Sequence, residues 1–268
     1  MGHVEDEPIG DHRDDVVRRL QRAGFVAAEG EVAELSAAAA HDPSALDDLV
    51  ARRLTGEPLA WITGTTTFCH HPVIVHPGVY VPRPQSEALA RRAADLLPPD
   101  GLAVDVCTGS GALAVALVRA RPSARVVATD VDRAAVACAR ANGIDGRLGD
   151  LLDPVPRELR GRVDVIVGVV PYVPTPALPL LQRDTFAFET PLAYDGGDDG
   201  ADLLRRVAVE GRTVLRAGGA LLLELGAEQV DLVAAELVGL GYVGVVAVVD
   251  DDGDRRGIEA TLSHDLDG

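Results

Sequence analysis

The segment 102–118 constrains the fold most, because it has the pattern of a buried strand, a glycine-rich turn and the start of a helix. The strand residues Leu102 to Val106 are apolar except for Asp105, and Gly109 and Gly111 permit a tight turn before the helix. The first amides of a helix have no partner within it, so this turn is a candidate site for a nucleotide-like cofactor. A glycine pair alone is weak evidence, since many turns in α/β proteins carry glycine for steric reasons.

The pattern of the remaining chain predicts an α/β fold with a doubly wound, mostly parallel sheet. Predicted strands cover 102–107, 125–130, about 145–149, 163–170, 219–225 and 243–249, and predicted helices alternate with them at 111–120, 133–142, 200–216 and 227–240. The acidic stretch 250–254 is expected to be a loop between the last two strands. Ligands of such sheets bind beyond the carboxyl ends of the strands, which gives residues at those ends priority.

Three regions are predicted along the chain. Apolar residues at helical spacing between residues 14 and 54 indicate a small helical domain, which we place at residues 1–66. Residues 67–84 read as a β-hairpin linker with proline-containing turns, and residues 85–268 as the domain that holds the sheet.

Composition excludes several classes of function. The chain has 42 acidic residues against 25 basic ones, and every basic residue is arginine, so Schiff-base lysines and phosphate-loop lysines are excluded. A net charge of −17 argues against nucleic acid as a partner. The polar start of the chain and the lack of a long apolar run argue against a signal peptide or membrane span, and three scattered cysteines suit a reducing compartment, so a cytoplasmic protein is expected. No metal site is expected, because His70, His71 and His76 lack a recognised ligand pattern.

Acidic residues at three strand ends favour S-adenosylmethionine as the cofactor. Asp105 precedes the glycine turn, while Asp130 and Asp150 end the next two strands. A carboxylate attracts the ammonium and sulfonium charges of S-adenosylmethionine but would repel a pyrophosphate, which makes NAD the weaker alternative. Asp130 can accept from both ribose hydroxyls, and Asp150 from the adenine amino group.

Together these segments resemble the HemK/PrmC family of protein-(glutamine-N5) methyltransferases, over most of the chain. The similar stretches are Gly56–Gly64, Val81–Pro84 with Glu87, Asp105–Gly111, Phe188-Glu189 with Leu192–Gly200, and Gly218–Glu224. The resemblance implies a class I (Rossmann-like) methyltransferase domain after a helical domain that recognises the substrate. It also implies that S-adenosylhomocysteine is the product and that the cofactor is bound by Asp105, Thr108, Gly109, Gly111, Asp130 and Asp150.

One part of the sequence departs from the family pattern. The family's catalytic turn reads Asn-Pro-Pro-Tyr, and the matching positions here are Val169, Val170, Pro171 and Tyr172. The family's Asn grips an amide hydrogen of the substrate glutamine, whereas valine has no side-chain acceptor. We therefore expect these four residues to form the wall of an altered acceptor pocket, with Arg83 or Glu189 orienting a polar substrate.

The sequence leaves the acceptor open. The first hypothesis is methyl transfer to another acceptor, either a protein or a small molecule, that is more nucleophilic or less polar than glutamine. The alternative is a degenerate family member that binds the cofactor or a partner without methyl transfer. A further possibility is that another residue replaces the missing Asn acceptor.

Overall fold

The computed structural model describes residues 9–181 and 188–264. Most of the polar N-terminal stretch that argues against a signal peptide, residues 1–8, lies outside the described residues. The chain divides into two compact units, Met1–Thr65 and Thr66–Gly268. None of the helices that the structure describes combines the length and the apolar character needed to cross a membrane.

The first unit is helical. Its helices are α1 (Ile9–Arg22), α2 (Ala28–Ala38), α3 (Pro43–Leu54) and α4 (Leu59–Thr63). Leu20, Leu35 and Val50, one from each of the first three helices, are fully buried in its apolar core. The Asp42 side chain caps α3 by accepting a hydrogen bond from the backbone amide of Ser44 at 2.9 Å, so this helix begins where proline is tolerated.

The second unit contains all the strands of the main sheet. A two-stranded hairpin, β1 (Thr65–Phe68) and β2 (His71–Ile74), comes first. The main strands are β3 (Leu102–Val106), β4 (Arg125–Asp130), β5 (Asp145–Leu148), β6 (Val163–Gly168), β7 (Leu215–Glu224), β8 (Tyr242–Val249) and β9 (Arg255–Leu262). The helices are α5 (Glu87–Leu96), α6 (Ala112–Ala120), α7 (Arg133–Ala141), α8 (Asp202–Val214) and α9 (Val230–Gly239).

The main sheet is mostly parallel, as predicted. Its strand order is β5-β4-β3-β6-β7-β9-β8. Six of these strands run in the same direction, and β9 runs in the opposite direction. Val104, Ile166 and Leu221, on β3, β6 and β7, are fully buried, which is typical of a parallel sheet covered on both faces. The strand order reverses between β3 and β6, and this switch point is where ligands bind in doubly wound sheets.

Strand β6 is shorter than predicted. It ends at Gly168 rather than at residue 170, so the segment 169–172 is a turn at the carboxyl edge of the sheet. Gly168 pairs with Val106 of β3, and a Cβ atom at position 168 would overlap Val106 Cγ1 and lie 2.6 Å from the Val106 carbonyl oxygen. The two strands therefore meet too closely for any side chain at this position.

We predict that Gly168→Ala lowers the free energy of unfolding by about 1–3 kcal/mol, because the added methyl group forces the two strands apart. Gly239→Ala is the matched control, since no atom lies within 4 Å of its Cβ position at the end of α9. That change should raise the free energy of unfolding by up to about 1 kcal/mol. Urea unfolding followed by circular dichroism measures both, and a Gly168→Ala variant as stable as the parent would contradict the close contact.

Candidate active site

A cavity of about 670 Å³ lies at the carboxyl ends of β3, β4 and β6. Its position is the switch point of the sheet, so the fold and the cavity indicate the same site. All of the predicted site residues line it except Gly111 and Glu189; those in the lining are Arg83, Asp105, Thr108, Gly109, Asp130, Asp150, Val169, Val170, Pro171 and Tyr172.

The glycine-rich turn is tied together by Asp105. The Thr108 hydroxyl donates to Asp105 Oδ2 at 2.5 Å, and the backbone amide of Ala114 donates to the same oxygen at 3.1 Å. Burial raises the pKa of Asp105 to about 7, although these two hydrogen bonds oppose the shift. Asp105 thus joins the strand end, the turn and helix α6, besides lining the cavity.

Gly111 has a packing role. It has a positive φ of 85°, and a Cβ atom there would lie 3.1 Å from Ala139 Cα. Glycine at this position therefore lets the start of α6 approach α7, while Gly109 is the glycine of the pair that lines the cavity.

Asp130 closes the turn from the end of β4. Its Oδ2 accepts from the backbone amide of Gly109 at 2.9 Å, and its Oδ1 from that of Asp132 at 2.9 Å. Burial raises the pKa of Asp130, and the backbone hydrogen bonds oppose this. Each carboxylate oxygen can accept more than one hydrogen bond, so Asp130 keeps acceptor capacity for a ligand in the cavity.

The third acid has a partner that the sequence pattern does not reveal. Asp150 Oδ2 lies 2.6 Å from Arg206 Nη2, and both side chains are about half exposed, at 51% and 46%. Arg206 also lines the cavity, but it sits on α8, and no motif spacing connects it to Asp150. An exposed ion pair of this kind contributes little to stability, so Asp150 remains available to a ligand.

The turn at the end of β6 forms an apolar wall. Val170 is fully buried, and Val169, Pro171 and Tyr172 are partly buried along the same cavity. The Tyr172 hydroxyl donates to Glu224 Oε1 at the end of β7, at 3.1 Å. The aliphatic side chain of Val169 offers no hydrogen-bond acceptor at the position where the family pattern has Asn.

Beside this wall, the partly exposed Arg83 forms an ion pair with the buried Glu189. Arg83 Nη2 donates to Glu189 Oε2 at 2.7 Å and to the Tyr194 hydroxyl at 3.2 Å. Glu189 is only 4% exposed, and it also accepts hydrogen bonds from the backbone amide of Val81, at 3.0 Å, and from the Tyr194 hydroxyl. Glu189 therefore orients Arg83 from behind the cavity, which explains why it is absent from the lining.

Two tyrosines for which the sequence predicted no role, Tyr80 and Tyr194, line the cavity together with the turn 169–172. We call this part of the lining, which was predicted to face the methyl acceptor, the acceptor side. The guanidinium carbon of Arg83 lies over the ring of Tyr80, 4.9 Å from the ring centroid. The rings of Tyr80 and Tyr194 meet edge to face, with their centroids 5.6 Å apart. With Tyr172, three of the chain's four tyrosines line one cavity. In the sequence these three tyrosines are far apart, so the only signal they offered was the rarity of tyrosine in this chain.

The cavity fits S-adenosylmethionine better than a dinucleotide. Its cofactor side combines an open glycine turn with carboxylates from Asp105, Asp130 and Asp150. These groups suit a ligand that carries positive charge and hydroxyl donors, whereas a pyrophosphate would meet repulsion. Among residues 9–181 and 188–264, no three His, Cys, Asp or Glu side chains are grouped so as to hold a metal ion.

Comparisons with known proteins indicate the class of enzyme to which this chain belongs. The family model described as "Methyltransferase small domain" matches residues 73–152. The release factor glutamine methyltransferase of Geobacter sulfurreducens is 35% identical over 214 residues, covering 78% of this chain and 74% of the relative. The 4-amino-L-phenylalanine/4-methylamino-L-phenylalanine methyltransferase of Streptomyces pristinaespiralis is 38% identical over 201 residues, covering 69% of this chain and 67% of the relative.

A solved methyltransferase from Pyrococcus furiosus has the same fold, with a TM-score of 0.52 and 21% identity over 71% of this chain and 89% of that one. Fold and site together define a class I S-adenosylmethionine-dependent methyltransferase. With relatives this similar over most of its length, the chain belongs to the HemK/PrmC family. The predicted family, enzyme class and cofactor are confirmed, while the roles of individual site residues stay predictions.

We predict a pH-dependent loss of stability that depends on Asp105. Its pKa is about 7 in the folded chain, against an ordinary value of 3.8, so between these values the folded state holds a proton that the unfolded state has lost. The free energy of unfolding should therefore fall as the pH rises from about 4 to about 7, by up to about 1.4 kcal/mol per pH unit.

Asp105→Asn keeps an oxygen for Thr108 and Ala114 but does not titrate, so its stability should fall less over this range. Urea unfolding of the parent and variant at a series of pH values measures the difference. Asp100→Asn, which changes an exposed carboxylate outside the cavity, is the control and should follow the parent. Parallel curves for the parent and Asp105→Asn would show that Asp105 is not the group responsible.

Proposed function

We propose that this enzyme transfers a methyl group to an amine nitrogen rather than to the amide nitrogen of glutamine. The observation that carries the proposal is Val169, which lines the acceptor side of the cavity where the family pattern has Asn. A protein or a small molecule could present the amine.

The physical reason lies in the nucleophile. The lone pair of an amide nitrogen is delocalised, so an amide needs hydrogen-bond acceptors to grip its N–H groups and aim the nitrogen. At Val169 one such acceptor is missing, and an amide hydrogen left unpaired there would cost about 1–3 kcal/mol. The lone pair of an amine, even of one attached to an aromatic ring, is less delocalised than that of an amide, so an amine tolerates this apolar wall better. S-adenosylmethionine, when bound, supplies an electrophilic methyl group, so orientation of the acceptor is the main task left to the chain.

The aromatic lining and one relative support the amine. Tyr80, Tyr172 and Tyr194 offer ring faces and edges to an apolar acceptor, and Arg83 lies among them, held by Glu189. The Streptomyces pristinaespiralis relative is named for methylating 4-amino-L-phenylalanine, which carries an amine on an aromatic ring. A related acceptor suits the cavity described here.

The remaining roles are part of the same proposal. Asp130 would accept from the ribose hydroxyls of the cofactor and Asp150 from its adenine amino group. Asp105, with Thr108 and Gly109, would hold the amino-acid end. The helical first unit would recognise the acceptor.

The central test compares acceptors in the parent and in Val169→Asn. We expect the parent to methylate aromatic amines in preference to a glutamine peptide taken from a release factor. Val169→Asn should gain about 5- to 150-fold in methylation of the peptide, because it restores an acceptor worth about 1–3 kcal/mol. Mass spectrometry of the two acceptors measures both activities.

Val173→Asn is the matched control, since it adds the same amide to another residue of the cavity lining and should bring no gain. Efficient glutamine methylation by the parent would refute the amine proposal. A parent that binds S-adenosylhomocysteine but methylates none of the acceptors would instead favour the degenerate family member.

A separate prediction concerns the cofactor. Asp130→Asn should weaken S-adenosylhomocysteine binding by about 10- to 100-fold, because hydrogen bonds to a charged acceptor contribute about 1.5–3 kcal/mol. Isothermal titration calorimetry measures the affinity. Asp153→Asn, an exposed carboxylate outside the cavity, should bind like the parent. Unchanged affinity in Asp130→Asn would remove Asp130 from the cofactor site.

A further inference from the structure

Gln229 makes a set of hydrogen bonds that neither the cofactor nor the acceptor explains. It lies in the short turn after β7, and only 5% of it is exposed. Its Nε2 donates to the backbone carbonyl oxygens of Tyr172, at 3.1 Å, and of Asp199, at 3.0 Å, while its Oε1 accepts from the backbone amide of Gly226 at 2.8 Å. Both N–H groups of the amide are used, so its orientation is fixed.

The segment bonded to the same amide packs directly on the acceptor turn. A Cβ atom at Gly200 would overlap the Tyr172 carbonyl oxygen and lie 2.6 Å from Gln229 Nε2. At Gly196, a Cβ atom would lie 2.7 Å from the carbonyl oxygen of Pro171 and 2.8 Å from Tyr172 Cα. The backbone of the block 195–200 can therefore pack against Pro171 and Tyr172 only because positions 196 and 200 are glycine.

Tyr172 is held at its other end as well. Its hydroxyl donates to Glu224, a carboxylate that is only 2% exposed at the end of β7. Glu224 and Gln229 are separated by four residues of the chain, so one short segment fixes both the side chain and the main chain of Tyr172.

We propose that Gln229 is a positioning residue for methyl transfer, acting through the backbone of the turn 169–172. Gln229 does not line the cavity, so it touches neither cofactor nor acceptor. Because the side chain of Val169 cannot accept a hydrogen bond, the backbone carbonyl groups of this turn become candidate acceptors for an incoming N–H group. A misplacement of about 1 Å can reduce a rate by about 100-fold, so the group that fixes this backbone determines how well the acceptor nitrogen is aimed.

The inference depends on the proposed function only in requiring an acceptor at this turn, and it holds for an amine or an amide. The test uses the full chain with whichever acceptor the parent methylates. Gln229→Met keeps the volume of the side chain and removes both donors. We expect kcat to fall by about 10- to 100-fold while the dissociation constant of S-adenosylhomocysteine, measured by calorimetry, changes less than about threefold. Glu228→Met, at the exposed neighbouring position in the same turn and outside the cavity lining, is the control and should match the parent.

Gln229→Glu supplies a pH signature that a purely structural role would not give. Its ionised carboxylate faces two carbonyl oxygens and cannot donate, whereas the protonated form can donate to one of them. Relative to the parent, kcat of this variant should therefore recover as the pH is lowered. Should Gln229→Met fail to fold, this pH profile decides the question by itself.

Amide hydrogen exchange gives a readout that does not depend on activity. Loss of the Gln229 donors should speed exchange at Val173 and Gly196, because the Val173 amide donates to the Tyr194 carbonyl oxygen and the Gly196 amide to the Val173 carbonyl oxygen, directly after the turn. A folded Gln229→Met with unchanged kcat and exchange would overturn the proposal, as would an equal loss of kcat and of S-adenosylhomocysteine affinity. If the parent methylates no acceptor, the proposed function fails, and exchange with unchanged cofactor affinity still decides whether Gln229 positions the turn.

Discussion

The buried hydrogen bonds of Asp105 are the interaction on which the cofactor side of the structure depends. One carboxylate oxygen receives both the Thr108 hydroxyl and the backbone amide of Ala114, so the end of β3 and the first turn of α6 are held at a fixed separation. This link also fixes the turn between them, in which the Gly109 amide points at Asp130 and donates a hydrogen bond to it. Burial of the carboxyl group strengthens each of these bonds and, at the same time, makes its charged form costly, which is why its protonation is coupled to stability.

The two sides of the cavity are assembled in different ways. On the cofactor side, the hydrogen bonds of Asp105 and Asp130 join residues no more than 21 positions apart, and only the pair of Asp150 with Arg206 spans a longer distance, of 56 positions. The acceptor side joins distant segments: Arg83 bonds to Glu189 across 106 positions, and Tyr172 bonds to Glu224 across 52. Each of these bonds closes a long loop, so forming the acceptor side costs more loop-closure entropy than forming the local turn on the cofactor side. A change in acceptor can therefore be made on that side without disturbing the local turn that holds the cofactor.

This difference also explains what could be predicted from the sequence. Alternating strands and helices gave the parallel sheet, and acids at strand ends gave Asp105 and Asp130, because both signals are local. The end of β6 at Gly168 was missed, since the apolar residues at 169 and 170 continue the strand pattern although neither pairs with β3 or β7. Arg206 and Gln229 were missed because a side chain on a helix or in a turn reveals its long-range partner only when the fold brings the two together.

The residues packed around the turn 169–172 bear on two hypotheses for Val169: methyl transfer to a different acceptor, and loss of catalysis. Gly168 remains closely fitted to Val106, and Gly196 and Gly200 still allow the backbone contact that their added Cβ atoms would block. Gln229 keeps both donors on carbonyl oxygens on either side of that contact. The fit at Gly168 stabilises the sheet whether or not the enzyme is active, whereas the Gln229 hydrogen bonds hold the backbone of the turn that, under the proposed function, aims the acceptor nitrogen. On the proposed function, Val169 alters the chemistry of the wall while the backbone of the turn keeps its hydrogen bonds to Gln229.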